Sequence, residues 1–312
     1  MLCDGCGHEF VVDLDWIDRL EQSGEKCAGC GLTCEHEDAP RVTVDPADPA
    51  LDDDLVARFA WYHTSTQPDW PTKSFEPAAA LTPETRMRMG GDRHVAEWAA
   101  RQRAKALHVG TYEAAIHNML RRMHDQADHG SQFYLYRVQL KATVVVREGS
   151  LIDPSNFVGD VVLDEVCPPG VDVARYLNYH ENPGGLSLAL GVAAIACVQQ
   201  VAIPHSDAGD TEWAPDAAAA LENASALPVS VTGRLGRFMR PSSPRAALAR
   251  ELVATLASRL LVNFRDGFAS AARFDEGEDS VVWARRVSSM LDLILSPGRL
   301  LQALDAGEHR QA

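Results

Sequence analysis

The sequence has no apolar run approaching the roughly 18–20 residues that cross a bilayer, so no membrane-spanning helix is expected. Its opening, MLCDGCGHEF, has neither a basic start nor an apolar core, and no signal peptide is expected there. It lacks the glycine-lysine phosphate loop, the GxGxxG dinucleotide turn and the GxSxG nucleophile elbow. These absences remove the commonest nucleotide-binding loops and argue against a Ser-His-Asp hydrolase. Positive charge is also short. Lys and Arg number 29 against 44 Asp and Glu, a net charge of −15, which excludes an indiscriminate coat for nucleic acid but leaves room for a local basic cleft. A cytoplasmic protein is expected. Richness in Ala, Arg and Asp with little Lys points to a GC-rich bacterial or phage genome.

What is present is a chain of 312 residues, 46% hydrophobic, long enough for two domains or for one large domain with appendages. Four of its seven cysteines form two CxxC pairs, Cys3/Cys6 and Cys27/Cys30, separated by residues 7–26. A CxxC turn brings two thiolates to one tetrahedral ion, and Gly7 and Gly31 behind the pairs free backbone N–H groups to face sulfur. Two such turns at this spacing predict a structural zinc ribbon over residues 1–38, with Cys3, Cys6, Cys27 and Cys30 as ligands. Cys34 and His8 are spare. Four thiolates leave no open position on the metal, so the ribbon is expected to be scaffold or docking surface.

Residues 39–56 are acidic and punctuated by proline, and read as a linker. An α+β domain is expected over 57–228. It has strands over 57–66 and 133–147, a helix over 93–106, and a strand–turn–helix over 107–122 capped by Thr111. A strand is expected at 158–166, then the pair of runs around Glu181 and Ala189–Ile203. Stretch 67–92 reads as loop, and 204–228 as a polar, Ala-rich insert without period. Over 229–312 the pattern turns helical: Ser243-Pro244 starts one helix with Leu248, Leu252, Leu256, Leu260 and Leu261 on a face, and 279–295 carries a second. The fold class expected is α+β, with a mixed or antiparallel split β-sheet core between an N-terminal zinc ribbon and C-terminal helices.

Three polar-aromatic spots fall at strand ends, where sites form on such folds: Trp61–Ser65, Leu107–Ala115 and Tyr179–Gly184. Their order resembles the ADP-ribosyltransferase fold: Tyr-His-Thr-Ser on a strand, then strand–turn–helix with Gly-Thr-x-x-Ala-Ala, then several strands, then a Glu at a strand turn. The resemblance covers about residues 57–203. It implies NAD as substrate, with His63 and Ser65 holding the ribose and nicotinamide. His108 or Tyr112 would occupy the second motif, and Glu181 would be the catalytic acid. An anion beside the ribose stabilises the oxocarbenium-like state reached as the nicotinamide bond breaks. Arg86, Arg88, Arg93, Arg101, Arg103 and Lys105 could supply cations for the pyrophosphate, or form a solvated helix face. The implied activity is transfer of ADP-ribose to a macromolecule, or hydrolysis of NAD. A second reading is a non-enzymatic zinc-ribbon adaptor for protein or nucleic acid. It draws on Arg234, Arg237, Arg240, Arg245 and Arg250, a basic run without an acid until Glu251.

Overall fold

The computed structural model describes residues 2–3, 5–10, 16, 25–33, 42–44, 47–72, 76–125, 130–152, 161–178, 181, 185–204, 213–225, 243–275 and 277–311. Among the described residues, ten strands run in chain order: β1 Leu2–Cys3, β2 Val42–Thr43, β3 Trp61–Ser65, β4 Leu107–Val109, β5 Tyr134–Leu140, β6 Leu151–Ile152, β7 Val173–Leu177, β8 Leu186–Leu190, β9 Ile195–Ala202 and β10 Arg310–Gln311. The α-helices are α1 Asp53–Val56, α2 Pro83–Arg88, α3 Asp92–Ala104, α4 Tyr112–Asp125, α5 Leu163–Val166, α6 Trp213–Ser225, α7 Pro244–Ala257, α8 Val262–Ala271, α9 Ser280–Leu295 and α10 Gly298–Asp305. The class is α+β, and no helix among the described residues is long and apolar enough to cross a membrane.

Two compact units emerge, and neither is continuous in sequence. The first holds residues 1–115, 134–200 and 307–312; the second holds 116–133 and 201–306. Contacts therefore gather the chain differently from the expected division at 57–228 and 229–312. The tail strand β10 joins the sheet of the first unit, and 201–204 and 213–225 join the helices of the second.

In the first unit, two four-stranded sheets, β10-β9-β5-β3 and β4-β8-β7-β6, share one apolar core. Trp61, Tyr136, Val138 and Val198 enter it from one sheet, and Val109, Leu177, Leu186 and Leu188 from the other. Side chains alternate along a strand, so the intervening residues of β4, β7 and β8 face the opposite way. There Tyr176, Ala174 and Ala189 pack with Val161, Val166 and Cys167. β10 with β9, β3 with β5, β4 with β8 and β7 with β8 pair antiparallel, and β6 with β7 parallel. Tyr62 and Gly110 form an isolated bridge that ties β3 to the end of β4.

The acidic stretch expected as a linker is built into this unit. Val44, Ala50 and Val56 are buried in the shared core. Arg175, only 3% exposed, donates hydrogen bonds to the carbonyls of Ala50 and Leu51 and pairs with Asp53. A buried guanidinium needs several acceptors, and main-chain carbonyls from this segment supply them. Asp52 caps α1 through the Asp54 N–H. The segment also gives the ribbon its partner strand, since β1 pairs with β2.

Three further local expectations change. Leu163–Val166 is a helical turn rather than part of a strand; Val166 is buried and Asp164 and Glu165 lie in its first turn. Stretch 67–92 contains α2, capped by Thr82 with Pro83 at its first position. Stretch 204–228 contains α6, whose buried face is Ala214, Ala217, Ala218, Leu221 and Ala224.

The second unit is helical. α6 packs on α7 and α9, and α7 on α8. Ser243 and Asp279 cap α7 and α9. Leu256 and Leu260 are buried as the period requires, whereas Leu261 and Val282 are exposed. Trp283 is fully buried and donates from Nε1 to the carbonyl of Ala272 at 2.8 Å. Arg286 donates to the carbonyls of Ala271 and Arg273 at the end of α8 and pairs with Glu278 at 2.9 Å. A cation at that position also suits the helix dipole.

Candidate functional site

The cysteine turns are the first candidate. The sulfurs of Cys3, Cys6, Cys27 and Cys30 all lie within 4.8 Å of one another and could hold a metal ion. The two turns repeat the same main-chain bonds. Gly7 N–H donates to Cys3 O and Gly31 N–H to Cys27 O, both at 2.8 Å. Cys3 N–H donates to His8 O, and Cys27 N–H to Leu32 O. Gly7 and Gly31 hold φ of +69° and +72°, where L side chains are disfavoured. Backbone N–H groups of Cys30 and Gly29 draw the Cys27 thiol down to about 6. The backbone N–H of His8 favours the Cys6 thiolate, but burial and the neighbouring sulfurs outweigh it and push Cys6 up to about 12. Four sulfurs this close ionise together only around a cation, so the donor set fits a thiolate-bound metal. His8 stacks on Phe10 rather than turning to the sulfurs, and a side chain at Gly29 would meet His8 Cβ at 2.5 Å. Cys34 lies outside the described residues.

The second candidate is polar and is assembled around β7, β8 and the start of α4. Asn178, 2% exposed, follows β7 and holds Glu181 by two bonds. Its Oδ1 accepts from the Glu181 N–H at 3.0 Å, and its Nδ2 donates to Glu181 Oε2 at 3.0 Å. The same Nδ2 reaches Ser187 Oγ on β8 at 3.1 Å. Ser187 in turn lies against Gly110, where a Cβ would stand 2.6 Å from Ser187 Oγ and 2.9 Å from Ala114 Cβ. The Gly-Thr-x-x-Ala-Ala motif is therefore first a packing motif: Gly110 and Ala114 let the first turn of α4 approach β8. Thr111 caps that turn, accepting from Ala114 N–H at 3.1 Å, and Thr64 Oγ1 donates to the carbonyl of Ala115 at 2.8 Å.

Tyr62 and Tyr112 meet edge to face at this turn, with ring centroids 5.8 Å apart. Burial, then the charge of Glu113, pushes the Tyr112 hydroxyl well above its ordinary range. His108 bonds through Nδ1 to Tyr176 Oη at 2.9 Å, on the same face of the sheet as Ser187. Asn178, Ser187 and Tyr176 carry no motif of their own. An Asn three residues before an acid at a hairpin end was the one signal that could have drawn attention to Asn178.

His63 and Ser65 lie on the other face of β3 from Tyr62 and Thr64. His63 stacks on Trp70 at 4.1 Å, and Ser65 Oγ accepts from the Gln67 N–H at 3.1 Å. The structure thus brings Glu181 together with Asn178 and Ser187, and Tyr112 with Tyr62, while His63 joins the Trp70–Tyr136 aromatic group. Several of the suggested cations have local tasks. Arg86 donates to the carbonyls of Ala78 and Leu81, Arg93 pairs with Glu97, and Arg103 with Glu76. Arg234, Arg237 and Arg240 lie outside the described residues, as do Tyr179, His180 and 182–184. Arg245 donates to Ser280 Oγ at 2.6 Å and lies over the ring of Phe274, so it is committed within the second unit.

Compared with family models, with curated proteins and with solved structures, the chain matches none.

Proposed function

We propose that the first unit is an ADP-ribosyltransferase-like enzyme that takes NAD as substrate, with zinc as the structural metal of the four cysteines. The observation that carries this reading is the grip of Asn178 on Glu181. A buried amide that binds both the main chain and the carboxylate of one residue fixes that carboxylate in place, and a fixed charge serves catalysis better than a mobile one. Glu181 accepts a hydrogen bond from a ribose hydroxyl and stabilises the positive charge that develops at the anomeric carbon. Nicotinamide leaves with the electron pair of the broken C–N bond. A nucleophile on a macromolecule, or water, then bonds to that carbon and gives up its proton. Tyr112 with Tyr62, or His108, flanks the nicotinamide, while His63 and Ser65, on the opposite face of β3, take no part in this arrangement.

The test is NAD turnover by the purified full-length chain, followed as nicotinamide release. Glu181→Gln keeps the size and both bonding positions but removes the charge. Turnover is expected to fall by about 10²–10³-fold, the scale of losing one preorganised electrostatic partner. Absence of any NAD binding or turnover in the parent chain would remove the enzyme reading. The adaptor reading would then stand on the cysteine turns, which expose Leu32 beside the metal ligands. Salt-dependent retention on DNA or RNA would identify its nucleic-acid form.

A further inference from the structure

The second unit contains a cavity of about 240 Å³ that plays no part in the chemistry proposed above. It lies between the end of β9, one face of α9 and the start of α10. Val201, Leu293 and Leu300 are among its apolar walls, and Ser289, Asp292 and Arg299 also line it. Three observations set it apart from a packing defect. Ser289 is 5% exposed, and its Oγ has no hydrogen-bond partner among the described residues. A buried hydroxyl left unpaired is unfavourable, so an occupant that bonds to it relieves that cost. Asp292 follows Ser289 by one helical turn, which puts both oxygens on the same side of α9. Arg299 stands on the opposing helix, and neither it nor Asp292 forms a side-chain ion pair or hydrogen bond among the described residues.

We infer that this cavity binds a free α-amino acid with an apolar side chain. The two charges are of opposite sign, which fits a zwitterion better than a simple anion or cation. The ammonium donates to Asp292 and to Ser289 Oγ, the carboxylate accepts from the Arg299 guanidinium, and the side chain lies among Val201, Leu293 and Leu300. The volume falls just below the roughly 300–1,000 Å³ of drug-sized ligand sites, which suits a molecule of this size.

The test is calorimetric titration of the full-length chain with three compounds that share one side chain: L-leucine, 3-methylbutylamine without the carboxylate, and 4-methylpentanoate without the ammonium. Saturable binding of L-leucine is expected, with a dissociation constant at or below about 1 mM, and at least tenfold weaker binding of both analogues. Asp292→Asn and Ser289→Ala should each weaken L-leucine about tenfold while the melting temperature stays near that of the parent. No binding of L-leucine at millimolar concentration, or equal affinity for either analogue, would overturn the inference. The analogue series needs no variant, so it decides the matter even if a substitution impairs folding.

Discussion

The cysteine turns and the Asn178–Glu181 turn are both short polar segments at the end of a strand, but they acquire their geometry in different ways. Each cysteine pair carries its instructions locally. A CxxC turn, a glycine in the left-handed region and a pair of repeated N–H to carbonyl bonds are all written within seven residues. The Asn178 turn depends on its surroundings: Ser187 from β8 accepts from the Asn178 amide, and Gly110 from the end of β4, with Ala114 from α4 beside it, packs against Ser187. A metal site of the first kind can be read from spacing, because the ion imposes its own tetrahedral geometry. A carboxylate site of the second kind has no such template and is defined by the fold that surrounds it.

Substitutions can break this contrast, and the largest effect is expected at the metal turns. Cys27→Ser should abolish stoichiometric zinc, measured by elemental analysis. Circular dichroism should show the ribbon losing its structure on heating or chelation, while the helical second unit keeps its own transition. Next comes Asn178→Ala, which removes the bonds to Glu181 and Ser187 and leaves those groups to find other partners. A loss of about 2–3 kcal/mol in denaturant unfolding is expected, with a fall in NAD turnover although Glu181 remains. Gly110→Ala should cost about 1–3 kcal/mol by overpacking. Pairing it with Ser187→Ala should recover part of that loss, since Ser187 Oγ is the nearest atom to the added methyl while Ala114 stays in contact. Full additivity of the two changes would mean that Gly110 and Ser187 do not meet. The smallest effect is expected for Thr111→Ala, about 1 kcal/mol, from loss of the cap on α4.

The sequence made some of this legible. Elements with strong periods or caps could be placed in advance: β3, α3, β5, α4 behind Thr111 and α7 behind Ser243-Pro244. What could not be placed has a physical reason in each case. The buried face of α6 is mostly alanine, so it offers little hydropathy contrast. Leu163–Val166 is one helical turn, too short to show a 3.6-residue period, and its flanking valines mimic a strand. The acidic stretch before β3 looked like a linker because its charges dominate. Its structural role comes from main-chain carbonyls that bind Arg175 more than 120 residues later, and no side-chain pattern reports a carbonyl's partner. For the candidate site, Glu181 and the Gly110–Ala115 turn could be singled out from sequence. Asn178 and Ser187 could not, because their roles arise only when β7 and β8 pair.

We propose that the carboxylate held by Asn178 acts on NAD. The most direct test is nicotinamide release by the parent chain and by Glu181→Gln, with melting curves showing both equally folded. Turnover in the parent and a loss of about 10²–10³-fold in the variant are expected. Equal turnover in the two proteins would contradict it.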